Sequence, residues 1–232
     1  MDKRRMCAED RKIAIVKAAL PLFARKGFAE TTTKDLARAA GVSEPLLYKH
    51  FPSKEALYLE IQNHSCKETD DVAQRLELLK PSTSTLVRLV YYLMGALITG
   101  RPAGVIKWDM RHRLMIKSFL EDGTFARLAY RNRFDHFCSR IEACLQAAID
   151  SGDVVKSPVP VVNRALFVHH VGAWIALVQL QQRSVLDYQA TREELLHQAM
   201  WFVLRGMGLT DKALVTYYKP EELSRSFAEA GI

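Results

Sequence analysis

The chain is poor in the features that mark membrane, secreted or catalytic proteins. No apolar run approaches the roughly 20 residues that a helix needs to span a bilayer. The longest candidate, at residues 165–180, is interrupted by His169, His170 and Gln179. The opening MDKRRMCAEDRK carries charge with no apolar stretch behind it, so no secretory signal and no membrane partner are expected. Four cysteines occur, Cys7, Cys66, Cys138 and Cys144. None forms a C-x-x-C pair and no histidine stands at zinc-finger spacing, so reduced cytosolic thiols are expected, with no metal site. Strand patterning does not extend beyond residues 153–155, and neither repeats nor low-complexity segments are found. No Ser/His/Asp set or phosphate loop can be assigned, and Gly206-Met207-Gly208 has no third glycine and no strand before it. The expectation is therefore a non-enzyme without a cofactor.

What is present is helical periodicity in a chain that is 49% apolar, enough to bury a sizeable core. Ile13, Val16, Leu20 and Phe23 repeat at steps of three and four, which predicts a first helix ending at Gly27. Pro21 lies inside it and predicts a kink there. Thr31-Thr32-Thr33 offers an N-cap for a second helix that runs to Ala40 and stops at Gly41. Ser43 caps a short third helix, with Pro45 in its first turn. Pro52-Ser53 opens a long fourth helix over residues 54–79. Further helices are expected at 84–99, 103–119, 123–150, 161–183 and 191–207, with a short terminal one from Pro220.

Residues 33–51 meet the demands of a helix-turn-helix. Leu36, Val42 and Leu47 form a small core with Ala40, Ala37 lets the helices approach, and Gly41 allows the sharp turn. The second helix of the pair projects polar residues outward, as a major-groove helix does. Residues 1–55 hold twelve Lys/Arg against seven Asp/Glu, so less than a quarter of the chain carries most of its +7 excess. A polyanion suits that segment, as a solvated basic surface also does. Tyr48, His50, Lys54 and Thr33 are placed to hold phosphate, the last two at helix N-termini. Ser43, Glu44, Pro45 and Lys49 are left for base edges.

GVSEPLLYKHFPSKEALY, residues 41–58, resembles the signature of the TetR family of transcriptional regulators, and AALPLFARKGFAETTTKDLARAAG resembles that family's first two helices. The resemblance covers about residues 10–60. It implies an all-α fold: a three-helix DNA-binding domain at 1–53, joined by a long helix to a helical ligand-binding and dimerisation domain at 54–232. It implies a homodimer on a palindromic double-stranded DNA operator, released by a small-molecule effector, usually as a repressor in the cytoplasm. Thr33, Ser43, Tyr48, Lys49, His50 and Lys54 carry over as DNA contacts. Glu44-Pro45 departs from the small or basic pair common in relatives. Glu44 can accept from a cytosine N4 or repel phosphate, so the operator stays open. An effector-independent architectural DNA-binding protein is the alternative.

For the second half, the resemblance implies dimerisation through helices 161–183 and 191–207, with burial in a monomer core as the alternative for their apolar faces. Trp108, His112, Phe137 and Trp174 are candidates to line an effector pocket. The segment 101–140 is basic, including Arg101, Lys107, Arg111 and Arg133, which suits an anionic effector or a solvated face.

Overall fold

The structure is a computed structural model that describes residues 8–67, 75–76, 78–100, 108–131, 135–180 and 186–229. Its helices, in chain order, are α1 Ala8–Glu30, α2 Thr33–Ala39, α3 Glu44–His50, α4 Lys54–Lys67, α5 Thr83–Ile98 and α6 Trp108–Leu120. They continue with α7 Thr124–Ala129, α8 Asp135–Asp150, α9 Val161–Val178, α10 Arg192–Gly206, α11 Asp211–Tyr217 and α12 Pro220–Glu229. The chain folds as two compact units, residues 1–68 with 104–131 and residues 69–103 with 132–232. This partition differs from the expected division after residue 53, because α6 and α7 share the core of the first unit.

In the first unit, Ile15, Phe23, Leu36, Leu57, Ile61 and Leu114 are fully buried. Tyr58 of α4 sits among aromatic rings, with centroids 4.8 Å from Phe23, 4.9 Å from Phe28 and 4.7 Å from Phe125 of α7. Burial, then the Glu121 and Asp122 carboxylates, push the Tyr58 phenol up, so it stays protonated. Pro21 does not end or break α1. The non-helical dihedrals fall at Gly27 instead, with φ 86°. Pro21 and Lys17, four residues before it, are both exposed, so the carbonyl left without a donor meets water.

Gly27 is required for two reasons. An L side chain is strained at this φ, and a Cβ would overlap the carboxylate of Glu121. That carboxylate accepts the Phe28 N–H at 3.0 Å and ties α6 to the end of α1.

The second unit is built around α5. Leu86, Val87, Leu89, Val90, Met94 and Ile98 are fully buried, against α8, α9 and α10. Gly172 lets α9 approach, since a Cβ there would meet Leu97 Cδ1 at 2.7 Å. The Thr83 hydroxyl donates to Asp153 at 2.6 Å. Arg164, nearly fully buried, donates to the carbonyls of Val159 and Met207 at 3.0 and 2.9 Å. Cys138 and Cys144 are buried and unpaired, and burial pushes the Cys138 thiol up to about 12. Cys7 and the Cys66 side chain lie outside the described residues.

Two differences from the expected helices appear. The helix expected over 123–150 is α7, a π turn at Tyr130-Arg131 and α8, with 132–134 outside the described residues. The other is α11, which periodicity missed because seven residues show too little of it; the Thr210 side chain caps it by accepting from Ala213 N. The start expected at 103, the end expected at 183, and 68–74 and 77 of the long fourth helix lie outside the described residues, and α6 is described from Trp108.

The apolar faces of α9 and α10 divide into two halves. Ile175, Val178, Leu195, Leu196, Ala199, Met200 and Val203 are buried, whereas Phe167, Trp174, Trp201 and Phe202 each expose more than half of their surface. Val161–Val178 is long and apolar enough by composition to cross a membrane, and its inner face lies in the core of this unit.

Gly27→Ala is expected to lose roughly 2 kcal/mol, about half from the left-handed backbone and half from the Phe28 N–H bond as Glu121 is displaced. Chemical denaturation measures it. In the Glu121→Ala background the same substitution should cost only the backbone part, and an undiminished cost would show that Glu121 is not involved.

Candidate nucleic-acid interface

The α2–α3 hairpin is fixed at every joint by local chemistry. The Thr32 side chain accepts from Asp35 N at 3.1 Å and caps α2. At the other end Val42 N donates to Ala37 O at 3.0 Å and Gly41 N to Arg38 O at 3.2 Å. This is the Schellman pattern, with Gly41 at φ 63° in the left-handed position. Ser43 Oγ then accepts from Leu46 N at 3.4 Å and starts α3. Leu36, Ala37, Leu47 and Phe51 are buried beneath the hairpin, with Ala40 and Val42 packed on them.

An ion pair braces the hairpin from α1. Lys26 Nζ lies 2.9 Å from Asp35 Oδ2. That hydrogen bond, then the one from Thr32, holds the Asp35 carboxyl at about 2, below its ordinary 3.8. A depressed carboxyl contributes its stability fully above the ordinary value and loses it as pH falls through the lowered one.

With its inner side packed, α3 turns Ser43, Pro45, Tyr48 and Lys49 to solvent, and Tyr48 is 45% exposed. Glu44 and His50 are half-buried. Thr33 and Glu44 are joined: the Thr33 hydroxyl donates to the Glu44 carboxylate at 3.0 Å across the starts of α2 and α3. Thr33, Tyr48, Ser53 and Lys54 border one shallow indentation. Lys12, not anticipated from sequence, lies over the Phe51 ring at 5.7 Å beside the end of α3. Its spacing of 39 residues from Phe51 carries no local signal.

Lys54 is engaged differently from the phosphate role expected of it. Its ammonium donates to the carbonyls of Phe28 and Thr31 at 2.8 and 3.1 Å and lies 4.2 Å over the Phe28 ring. Two of its three donors are thus used to close the end of α1, where carbonyls lack helical partners. The sequence places Lys54 at a helix N-terminus, and only the fold brings the C-terminal carbonyls of another helix to it.

The four effector candidates divide between the two units. His112 is half-buried on α6 of the first unit, and Trp108 begins that helix with its side chain outside the described residues. In the second unit Phe137 packs against the core and Trp174 is 61% exposed. None of the four lines the cleft enclosed by α5, α10 and α12. Of the basic segment, Arg101, Lys107 and Arg133 lie outside the described residues, as does the side chain of Arg111.

Residues 15–61 match the family described as bacterial regulatory proteins, tetR family. The chain is 42% identical over 66 residues to the HTH-type transcriptional regulator EthR of Mycolicibacterium smegmatis, a match spanning 28% of this chain and 30% of that relative. Among solved structures, AibR in complex with isovaleryl coenzyme A and operator DNA aligns over 83% of this chain and 97% of its own, with TM-score 0.62 and 18% identity. A gamma-butyrolactone receptor (ArpA-like protein) aligns over 95% of this chain and 100% of its own, with TM-score 0.61 and 20% identity. At such identities the structural likeness concerns the fold.

Two outcomes are expected for the hairpin's supports. Lys54→Met keeps the length of the side chain but loses both carbonyl bonds and the cation, and should cost roughly 2 kcal/mol in chemical denaturation. No loss would return Lys54 to a purely external role. Asp35→Asn should lower the melting temperature near neutral pH, with the gap to wild type closing as pH falls from about 4 to about 2. A gap that stays constant through that window would remove the ion pair from the account.

Proposed function

We propose, since this chain belongs to the TetR family through its DNA-binding domain at residues 15–61, that it is a transcriptional repressor acting in the cytoplasm. It binds a palindromic operator as a homodimer and is released by a small-molecule effector. One observation carries the DNA-binding part: α3 buries Leu47 and Phe51 while presenting Ser43, Pro45, Tyr48 and Lys49 on one open face of a basic domain. A seven-residue helix of that kind enters the major groove by its N-terminal end. Tyr48 and His50 anchor phosphate, and Ser43, Pro45 and Lys49 meet base edges. Glu44 reads sequence only together with Thr33, because their hydrogen bond fixes where the carboxylate points. Lys54 has one donor left for phosphate beside its two carbonyl bonds.

The homodimer is supported by the outer faces of α9 and α10. Val162, Phe167, Trp174, Trp201 and Phe202 are exposed, large and apolar, which isolated surface residues rarely are as a group. A second copy offers the matching face, and two linked recognition helices suit two half-sites. Release by an effector is supported by the likeness in fold to AibR, whose structure holds both isovaleryl coenzyme A and operator DNA.

The test uses the full chain and DNA from its own promoter in fluorescence anisotropy. Wild type should bind one sequence tightly and as a dimer by light scattering. Tyr48→Ala should weaken every operator variant alike, about fivefold for one lost hydrogen bond. Glu44→Ala and Thr33→Val should change the ranking of variants in the same way. Sequence-blind binding would favour the architectural alternative, and a monomeric wild type unaffected by Phe202→Glu would remove the proposed interface.

A further inference from the structure

The inward face of α1 carries one residue out of keeping with it. Ile15, Val16, Ala19 and Phe23 lie on that face and are buried. One turn nearer the start of the helix, at the same steps of three and four, that face reaches Lys12. A cation at the end of an apolar stripe breaks the pattern that builds the rest of the helix. Residues that break a local rule in an otherwise consistent fold are where function is to be sought.

Lys12 is half-buried, and its ammonium stands 5.7 Å from the centroid of the Phe51 ring. Phe51 is the C-cap of α3 and is only 3% exposed. It also borders the indentation edged by Thr33, Tyr48, Ser53 and Lys54, so one aromatic residue joins Lys12 to the side chains around the hairpin. The neighbouring lysines are engaged: Lys26 pairs with Asp35, and Lys54 donates to two carbonyls. Lys12 has its ring contact and no salt bridge or side-chain hydrogen bond among the described residues. Its three donors are therefore open to a partner. Residues 1–17 hold six Lys/Arg against three Asp/Glu, so the stretch stays positive with Glu9 and Asp10 counted.

The dimensions of a duplex give that position a use. With seven residues α3 is about 10 Å long, and the major groove is about 8.5 Å deep. A helix that enters by its N-terminal end therefore finishes near the rim of the groove, where the phosphates lie. The C-terminal end of a helix is the negative end of its dipole and opposes a phosphate there. A cation beside that end reverses the sign. The Phe51 ring also limits where the ammonium moves, so less freedom is lost when it meets an anion.

We infer that Lys12 is a DNA-backbone contact: its ammonium, held over Phe51 at the end of α3, binds a phosphate at the rim of the major groove. The inference rests on the DNA-binding reading of α3 and extends that interface from the hairpin to α1. The competing use of Lys12 is to hold the end of α3 for stability alone, and two readouts separate them.

The test follows the full chain by fluorescence anisotropy from about 0.05 to about 0.2 M salt, on a fragment of its own promoter and on a random-sequence duplex. Lys12→Met keeps the length and apolar contact of the stem and removes the charge. It should lower the salt slope by about 0.9, and weaken binding about eightfold at about 0.1 M salt, for each bound protomer and alike on both duplexes. Its melting temperature should equal or exceed that of wild type. Lys12→Arg should keep the wild-type slope, and so should Lys17→Met, which removes an exposed lysine from another face of α1. An unchanged slope in Lys12→Met overturns the contact, and a lower melting temperature beside it assigns Lys12 to holding α3. An equal fall in slope for Lys17→Met overturns it too, because net charge then explains the effect. Loss confined to the promoter fragment overturns phosphate as the target, since backbone contacts are blind to sequence. Wild type that binds neither duplex overturns the DNA-binding reading itself, and the inference with it.

Discussion

Lys54 reaches from the first turn of α4 into the end of α1, where its ammonium donates to the Phe28 and Thr31 carbonyls and covers the Phe28 ring. Much of the first unit depends on that junction. The end of a helix exposes carbonyls without partners, and here they sit where water is partly excluded. The same few residues also receive Glu121 at the Phe28 N–H and the Thr31 hydroxyl at the Gly27 carbonyl, 2.6 Å away. Two elements distant in sequence, the start of α4 and the end of α6, are therefore tied to one five-residue exit. Residue 33, where α2 begins, follows directly. The direction in which the helical hairpin leaves α1 is thus set by hydrogen bonds to backbone, which are more exacting than apolar contact.

From that exit α3 is placed mainly by short-range rules, with the Lys26–Asp35 ion pair bracing the hairpin from α1. Thr32, Gly41 and Ser43 cap and turn the chain, and Leu36, Ala37 and Leu47 close its inner side. The consequence for function is a division of labour along α3. Buried Leu47 and Phe51 hold it, exposed Tyr48 and Lys49 face outward, and Glu44 is held by Thr33 rather than left mobile. An acidic side chain at the tip of a DNA-reading helix is a liability when it swings toward phosphate. A fixed carboxylate can instead serve as an acceptor for a cytosine amino group. The second unit has a separate logic, with an apolar outer face on α9 and α10 and an aromatic cleft under α12.

What was legible in the sequence was local. The caps at Thr32 and Ser43, the turn at Gly41, the stop at Gly27 and the inward set of the hairpin all follow from residue chemistry within a few positions. So does the all-helical fold, which periodicity and the missing strand pattern announce together. Contacts between distant segments were not legible. Lys54 reads as a phosphate ligand because it stands at a helix N-terminus, and nothing nearby signals the carbonyls 23 and 26 residues earlier. The place of α6 and α7 in the first unit was equally hidden, since an apolar stripe shows that a face is buried but not against what. Trp108, His112, Phe137 and Trp174 stand out in the sequence only by residue type on helices, which says nothing of which unit each belongs to.

The central claim is that α3, held by the α1 exit, is the part of this chain that meets DNA. Hydrogen–deuterium exchange by mass spectrometry, with and without a fragment of the chain's own promoter, tests it most directly. The account predicts added protection concentrated in residues 43–51 and at the start of α2, with the α9 and α10 outer faces unchanged by DNA. Protection confined to other segments, with residues 43–51 exchanging as before, would contradict it.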